Sequence, residues 1–146
     1  MISVKIKKIR PGAVTPVYGS EFAAGADLYA CLEADAAIAP HETLMIPTGI
    51  CMEIPVGYAG FVHARSSVAS KRGLAPANKV GVIDCDYRGE LIVALHNHSD
   101  APQSVGKNER IAQLVIAPYL KVDFEEADEL TDTQRGEGGF GSTGKY

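Results

Sequence analysis

The sequence predicts an all-β fold, a barrel or sandwich of short strands with at most one short helix. Three observations carry this. Apolar and polar residues alternate over short runs, Gly and Pro punctuate those runs, and no long segment has the 3.6-residue period of an amphipathic helix. A chain of 146 residues suits one domain with a proper core.

In order along the chain, Ile2, Val4 and Ile6 alternate with polar residues and read as a strand with one buried face. Residues 10–21 carry Pro11, Gly12, Pro16 and Gly19 and read as a loop. Residues 26–32, 43–46, 50–54 and 58–64 read as strands, the last two separated by Pro55-Val56-Gly57. Residues 66–72 are the one place for a short helix, opened by Ser66 and closed by Gly73. Next, an apolar arm (Val80, Val82, Ile83) meets Asp86-Tyr87-Arg88-Gly89 and leaves through Leu91 to Leu95. Asp at the first and Gly at the fourth position suit a type I turn, so this stretch predicts a β-hairpin with Asp84 on its incoming arm and Tyr87 at its bend. Two acids, an aromatic and an Arg within residues 84–88 are more chemistry than an ordinary turn needs. A further turn falls at residues 98–102, and residues 109–116 and 120–125 read as the last strands.

From Glu126 the apolar pattern fades, and Gly136, Gly138, Gly139, Gly141 and Gly144 crowd the end of the chain. The expected organisation is a β-barrel domain over residues 1–128 and an arm over residues 129–146. A Gly-rich, polar terminus most often reads simply as a disordered end, but glycines also let backbone N–H groups converge on an anion, and Arg135 is suited to complete a phosphate cradle. Phe140 is suited to cover the flat face of a base. Such an arm is loose when empty and ordered over a ligand.

Composition narrows the function class. Hydrophobic content of 46% with 22% charged residues is that of a soluble globular protein. The net charge of -4 argues against nucleic acid as a partner. Cys31, Cys51 and Cys85 are odd in number and widely spaced, which suits free thiols in a reducing compartment. The N-terminus lacks the apolar run of a signal peptide and no stretch is long enough to span a bilayer, so no membrane and a cytoplasmic location are expected. His96 and His98 share one face of a strand but have no third ligand near them in the pattern, so surface or edge positions are expected instead of a metal site.

Five blocks together resemble the trimeric dUTP diphosphatase (dUTPase) family, in the family's order and over nearly the whole chain. They are Ala24-Gly25-Ala26-Asp27-Leu28-Tyr29-Ala30, Ala64-Arg65-Ser66-Ser67-Val68-Ala69, Gly81-Val82-Ile83-Asp84-Cys85-Asp86-Tyr87-Arg88-Gly89, Glu109-Arg110-Ile111-Ala112-Gln113-Leu114, and the Gly-rich tail. The resemblance implies a jelly-roll-like β-barrel (the dUTPase-like β-clip) whose flexible Gly-rich arm closes over the active site of a neighbouring subunit. It implies a homotrimer with active sites at subunit interfaces, and hydrolysis of dUTP to dUMP and pyrophosphate.

By the same resemblance Asp84 is the general base for water attacking the α-phosphorus. Tyr87 packs under the deoxyribose and leaves no room for a 2′-hydroxyl. Asn78, with the backbone of Gly81, Val82 and Ile83, reads uracil, Arg65 and Ser66 contact the triphosphate, and Ser67 and Gln113 count among the substrate-binding residues. Asp27 and Gln113 hold waters of a Mg2+ that is itself bound by the phosphates, with no direct protein ligand. Arg135, Phe140, Gly141, Ser142 and Thr143 form the lid. Ser67 stands where the family commonly has Gly, and Cys85 falls at a variable position. Two rivals share the pocket: a dCTP deaminase, or a combined deaminase and diphosphatase, on the same scaffold, and a trimeric binding module without turnover. Asp84 with Tyr87 and the full tail favours hydrolysis over the first. A base that binding alone would not need argues against the second.

Overall fold

Period-two alternation gives a strand one face for a core, and short alternating runs broken by Gly and Pro give many such strands. The computed structural model describes residues 2–139. Its strands are β1 (Lys5–Lys8), β2 (Val17–Tyr18), β3 (Ala26–Tyr29), β4 (Ala36–Ile38), β5 (Thr43–Pro47), β6 (Ile50–Glu53), β7 (Tyr58–Ala64), β8 (Leu74–Pro76), β9 (Gly81–Ile83), β10 (Ile92–Asn97), β11 (Gln103–Val105) and β12 (Arg110–Pro118). The single helix among the described residues is α1 (Ser66–Arg72).

All the strand pairings are antiparallel, in sheets ordered β2-β3-β12-β7-β9, β5-β10-β8, β1-β6 and β11-β4. Partners such as β3 and β12 lie far apart in the chain, the non-local pairing of a jelly-roll-like all-β fold. One apolar core joins the layers, with Leu28, Ile38, Ile46, Ile50, Leu74, Leu95, Val105 and Ile111 fully buried in it.

Residues 58–64 and 66–72 form the elements expected of them. Gly73 closes α1 at φ 67, the left-handed region where glycine carries no Cβ penalty. Ser66 does not cap the helix. The N-cap position is Arg65, without a side-chain cap bond, and its carbonyl accepts the N–H groups of Val68 and Ala69.

The expected hairpin is not one. Its arms part into different sheets, β9 onto β7 and β10 onto β5 and β8. The turn comes earlier than the sequence indicates, with the Tyr87 N–H donating to the Asp84 carbonyl at 3.1 Å. The backbone beyond it is satisfied by the opposite layer. The Leu91 N–H donates to the Ile50 carbonyl at 2.8 Å, and the Leu91 carbonyl accepts from Thr48 Oγ1 at 2.7 Å. Nor do residues 120–125 form a strand. They follow β12 without a strand partner among the described residues, with Leu120 93% and Phe124 91% exposed. Residues 10–21 are a loop except for β2, and the three-residue strands β4, β8 and β11 were not foreseen.

One irregularity shapes the site. The pairing of β12 with β3 slips between Arg110 and Ala112, so Ile111 and Ala112 are both buried in succession. In a regular strand residues three apart point to opposite faces. The extra residue of the bulge puts Arg110, opposite Tyr29, on the same face as Gln113, opposite Asp27.

Candidate active site

The five-stranded sheet carries an open cleft of about 240 Å³ at one end, walled by the β2–β3 loop, the start of α1 and the face of β12 prepared by the bulge. Asp27, only 8% exposed, is its acid. Its Oδ1 accepts from Arg65 Nε at 2.6 Å and its Oδ2 from Arg110 Nη1 at 3.2 Å. Both guanidiniums keep further N–H donors, the equipment of a phosphate site. Ser66 and Ser67 line the same cleft from the first turn of α1, where backbone N–H groups lack intrahelical acceptors. Gln113 Nε2 donates to the Ala64 carbonyl at 2.9 Å, which turns its Oε1 toward Gly25. From the far end of α1, Arg72 bonds the Glu109 carboxylate and the Ser104 carbonyl, and Glu109 Oε2 accepts the Gly106 N–H at 2.8 Å. Glu109 of the fourth block therefore ties the end of α1 to the turn before β12.

The remaining expected residues gather along β9, an edge strand of the sheet. An edge strand leaves backbone donors and acceptors unpaired on its outer side, a fixed pattern that can read the rim of a base. Before it the chain turns tightly. The Val80 N–H donates to the Asn78 carbonyl at 2.7 Å with Lys79 at φ 64, an uncommon conformation for a residue with a Cβ. This turn lays the Asn78 amide against Gly81, where an added Cβ would lie 3.2 Å from Nδ2. After β9, Asp84 is exposed. The Tyr87 ring lies directly on Gly89, is 44% exposed, and its hydroxyl donates to the Glu90 carbonyl at 3.0 Å.

Register decides how these two groups relate. Ile83 faces Gly60, so Asp84 leaves the sheet near the start of β7, whereas Arg65 follows its end. The five residue steps from Gly60 to Arg65 span roughly 17 Å of extended chain. Asp84 and the Arg65 cleft therefore do not meet within one chain. Asp84 instead borders a shallow surface shared with Phe61, Val82, Tyr119 and Phe124. There Cys85 Sγ lies 3.8 Å from the Tyr119 hydroxyl, and that hydrogen bond pushes the phenol pKa up.

Arg135 Nε donates to the Gly138 carbonyl at 2.7 Å, a bond within the tail. Phe140, Gly141, Ser142 and Thr143 lie outside the described residues. Among the described residues no group of three or more His, Cys, Asp or Glu is placed to hold a metal ion. His96 and His98 touch edge to face with ring centroids 4.4 Å apart, and His96 Nδ1 pairs with Thr43 Oγ1 at 2.9 Å. Arg110 was not among the expected ligand contacts. The signal that could have found it is the run Glu109-Arg110-Ile111-Ala112-Gln113, read with the bulge that brings Arg110 onto the face of Gln113.

Several known proteins resemble this chain. The dUTPase family model matches residues 12–144. The deoxyuridine 5'-triphosphate nucleotidohydrolase of Syntrophotalea carbinolica is 46% identical over 143 residues, spanning 98% of this chain and 97% of that protein. The protein of the same name from Desulfitobacterium hafniense is 49% identical over 146 residues, spanning 98% and 97%. Among solved structures, the dUTPase of Staphylococcus bacteriophage 80alpha with dUPNHPP superposes with a TM-score of 0.90 at 28% identity, covering 99% of each chain. With five blocks in order, a jelly-roll-like fold, and relatives alike over nearly their full length, the chain belongs to the dUTPase family.

Proposed function

We propose that this protein hydrolyses dUTP to dUMP and pyrophosphate, by attack of water on the α-phosphorus, as a homotrimer whose sites lie between subunits. The observation that carries this is the division of the family's residues between two ends of one sheet. Asp84 and Tyr87 stand at one end and the Arg65 cleft at the other, so a complete site takes its halves from different chains. The exposed apolar residues Leu120, Val122 and Phe124 supply surface for such an assembly. The phage relative solved with dUPNHPP supports a dUTP-like ligand.

In this reading Asp84 takes the proton from the attacking water. Arg65, Arg110, Ser66, Ser67 and Gln113 bind the triphosphate, and the Arg side chains offset the charge that builds on departing pyrophosphate. Asn78 and the outer edge of β9 read uracil. Fixed donors and acceptors there reject cytosine, whose exocyclic amine reverses the pattern. Tyr87 lies under the sugar. Arg135, Phe140, Gly141, Ser142 and Thr143 close over the site from a neighbouring subunit, excluding bulk water.

The cleft suits a Mg2+ that arrives on the phosphates. Asp27 keeps lone pairs beyond its two arginine bonds, and Gln113 keeps its Oε1, so both can hold metal-bound water. Bound there, Mg2+ would supply charge neutralisation to the phosphates. The physiological consequence of the reaction is to limit uracil incorporation into DNA and to supply dUMP for dTTP synthesis. Three free thiols, Cys31, Cys51 and Cys85, fit a reducing, cytoplasmic setting. Pyrophosphate release from dUTP, with dTTP, dCTP and UTP as controls and with and without Mg2+, tests the proposal. Release confined to dUTP supports it. Ammonia release from dCTP, or no turnover of any nucleotide, overturns it.

A further inference from the structure

Among the described residues the Tyr87 ring is held by the short segment Gly89-Glu90. Gly89 lies against the ring and the Glu90 carbonyl accepts its hydroxyl at 3.0 Å. The position of the ring therefore depends on what fixes Glu90. Its carboxylate turns inward, 11% exposed, where Oε1 accepts from Arg10 Nε at 2.7 Å and Oε2 from Arg10 Nη2 at 2.8 Å. Oε1 also accepts the Gly49 N–H at 2.8 Å. Gly49 has φ 69, and a Cβ there would lie 2.7 Å from Ala13 Cβ, so only glycine brings that N–H to the carboxylate. A paired guanidinium–carboxylate fork fixes angle as well as distance, unlike an ordinary surface ion pair.

We infer that Arg10 and Glu90 are positioning residues for sugar recognition, acting through the Tyr87 ring to set the preference for deoxyribose over ribose. The inference rests on the proposed dUTP reading. Neither residue lines the phosphate cleft or borders Asp84. Arg10 lies 80 positions from Glu90 in the chain, so the dependence is invisible locally. A ring free to sink by a fraction of an ångström would admit a 2′-hydroxyl. The chemistry at the α-phosphorus would be left largely as it was.

The test is steady-state pyrophosphate release from dUTP and UTP by the full-length protein and by Arg10→Met, Arg10→Lys and Glu90→Gln, with melting temperatures measured alongside. The expected result is a fall of about tenfold in the dUTP/UTP ratio of kcat/KM, carried more by KM than by kcat. Arg10→Lys, which keeps the charge but loses the fork, should lie between wild type and Arg10→Met. Combined with Tyr87→Ala, Arg10→Met should add nothing further to the loss of discrimination. Folded variants whose dUTP/UTP ratio equals wild type overturn the inference. If Arg10→Met and Glu90→Gln fail to fold, the ratio for Arg10→Lys decides in the same way. Failure of the dUTP reading is seen separately, in the wild-type arm: a wild type that hydrolyses neither nucleotide removes that reading and this inference together.

Discussion

Gly25 and Gln113 touch so closely that no side chain fits between them, since a Cβ on Gly25 would lie 2.6 Å from Gln113 Oε1. The obstructing atom ends a flexible side chain, so a substitution moves Gln113 rather than the sheet. Gly25→Ala should leave the melting temperature nearly unchanged while lowering kcat/KM for dUTP by roughly ten- to a hundredfold, the cost of misplacing a contact group by about 1 Å. Steady-state kinetics beside a thermal melt checks this.

Asp84 is exposed at the end of β9 and makes no side-chain hydrogen bond among the described residues. Asp84→Asn should therefore fold and bind dUTP as wild type does, yet hydrolyse it roughly 10²- to 10⁴-fold more slowly. Calorimetric binding with single-turnover hydrolysis separates the two effects. Normal turnover would remove Asp84 as the base.

The last strand ends at Pro118, and the residues after it that are described form no further strand. Truncation after Gln134 should then leave a folded oligomer with greatly reduced hydrolysis, measurable by size-exclusion chromatography and pyrophosphate release. Loss of the fold would make the tail structural.

Stability should rise with pH in two stages. His98 is exposed but is held below its ordinary 6.5 by partial desolvation of its ring, with His96, Lys79 and His41 adding repulsion. Glu90 is held below its ordinary 4.5 by the hydrogen bond from Arg10, against the opposing effect of burial. Both native pKa values lie below the unfolded ones, so across each window the unfolded chain binds more protons. The stabilisation is whole above pH 6.5. It is lost first as His98 protonates, then below pH 4.5 as Glu90 does. Melting temperature against pH should show both stages, with His98→Asn removing the upper and Glu90→Gln shrinking the lower.

What the sequence showed and hid follows from the range of the forces involved. Residues 58–64 and 66–72 were legible because alternation and a closing glycine are local signals. The parting of β9 from β10 was not, because a bend after Asp84 looks the same whether its arms pair with each other or with distant strands. Residues 120–125 alternate as a strand does, but alternation describes a face and says nothing of what covers it. The cleft was mostly legible through Asp27, Arg65, Ser66 and Gln113, which five ordered blocks brought together. Arg110 escaped because a bulge overrides the parity that places residues on a strand, and a bulge leaves little trace in composition.

The length of β7 between Asp84 and Arg65 also has a genetic consequence. Under the proposed assembly a chain lacking its base still lends a sound phosphate cleft to its neighbour, and a chain lacking its cleft still lends a sound base. Two alleles, each inactive alone, such as Asp84→Asn and Arg65→Ala, should complement one another when co-expressed. Random mixing in equal amounts would restore about a quarter of the sites. Sites confined to single chains would restore none.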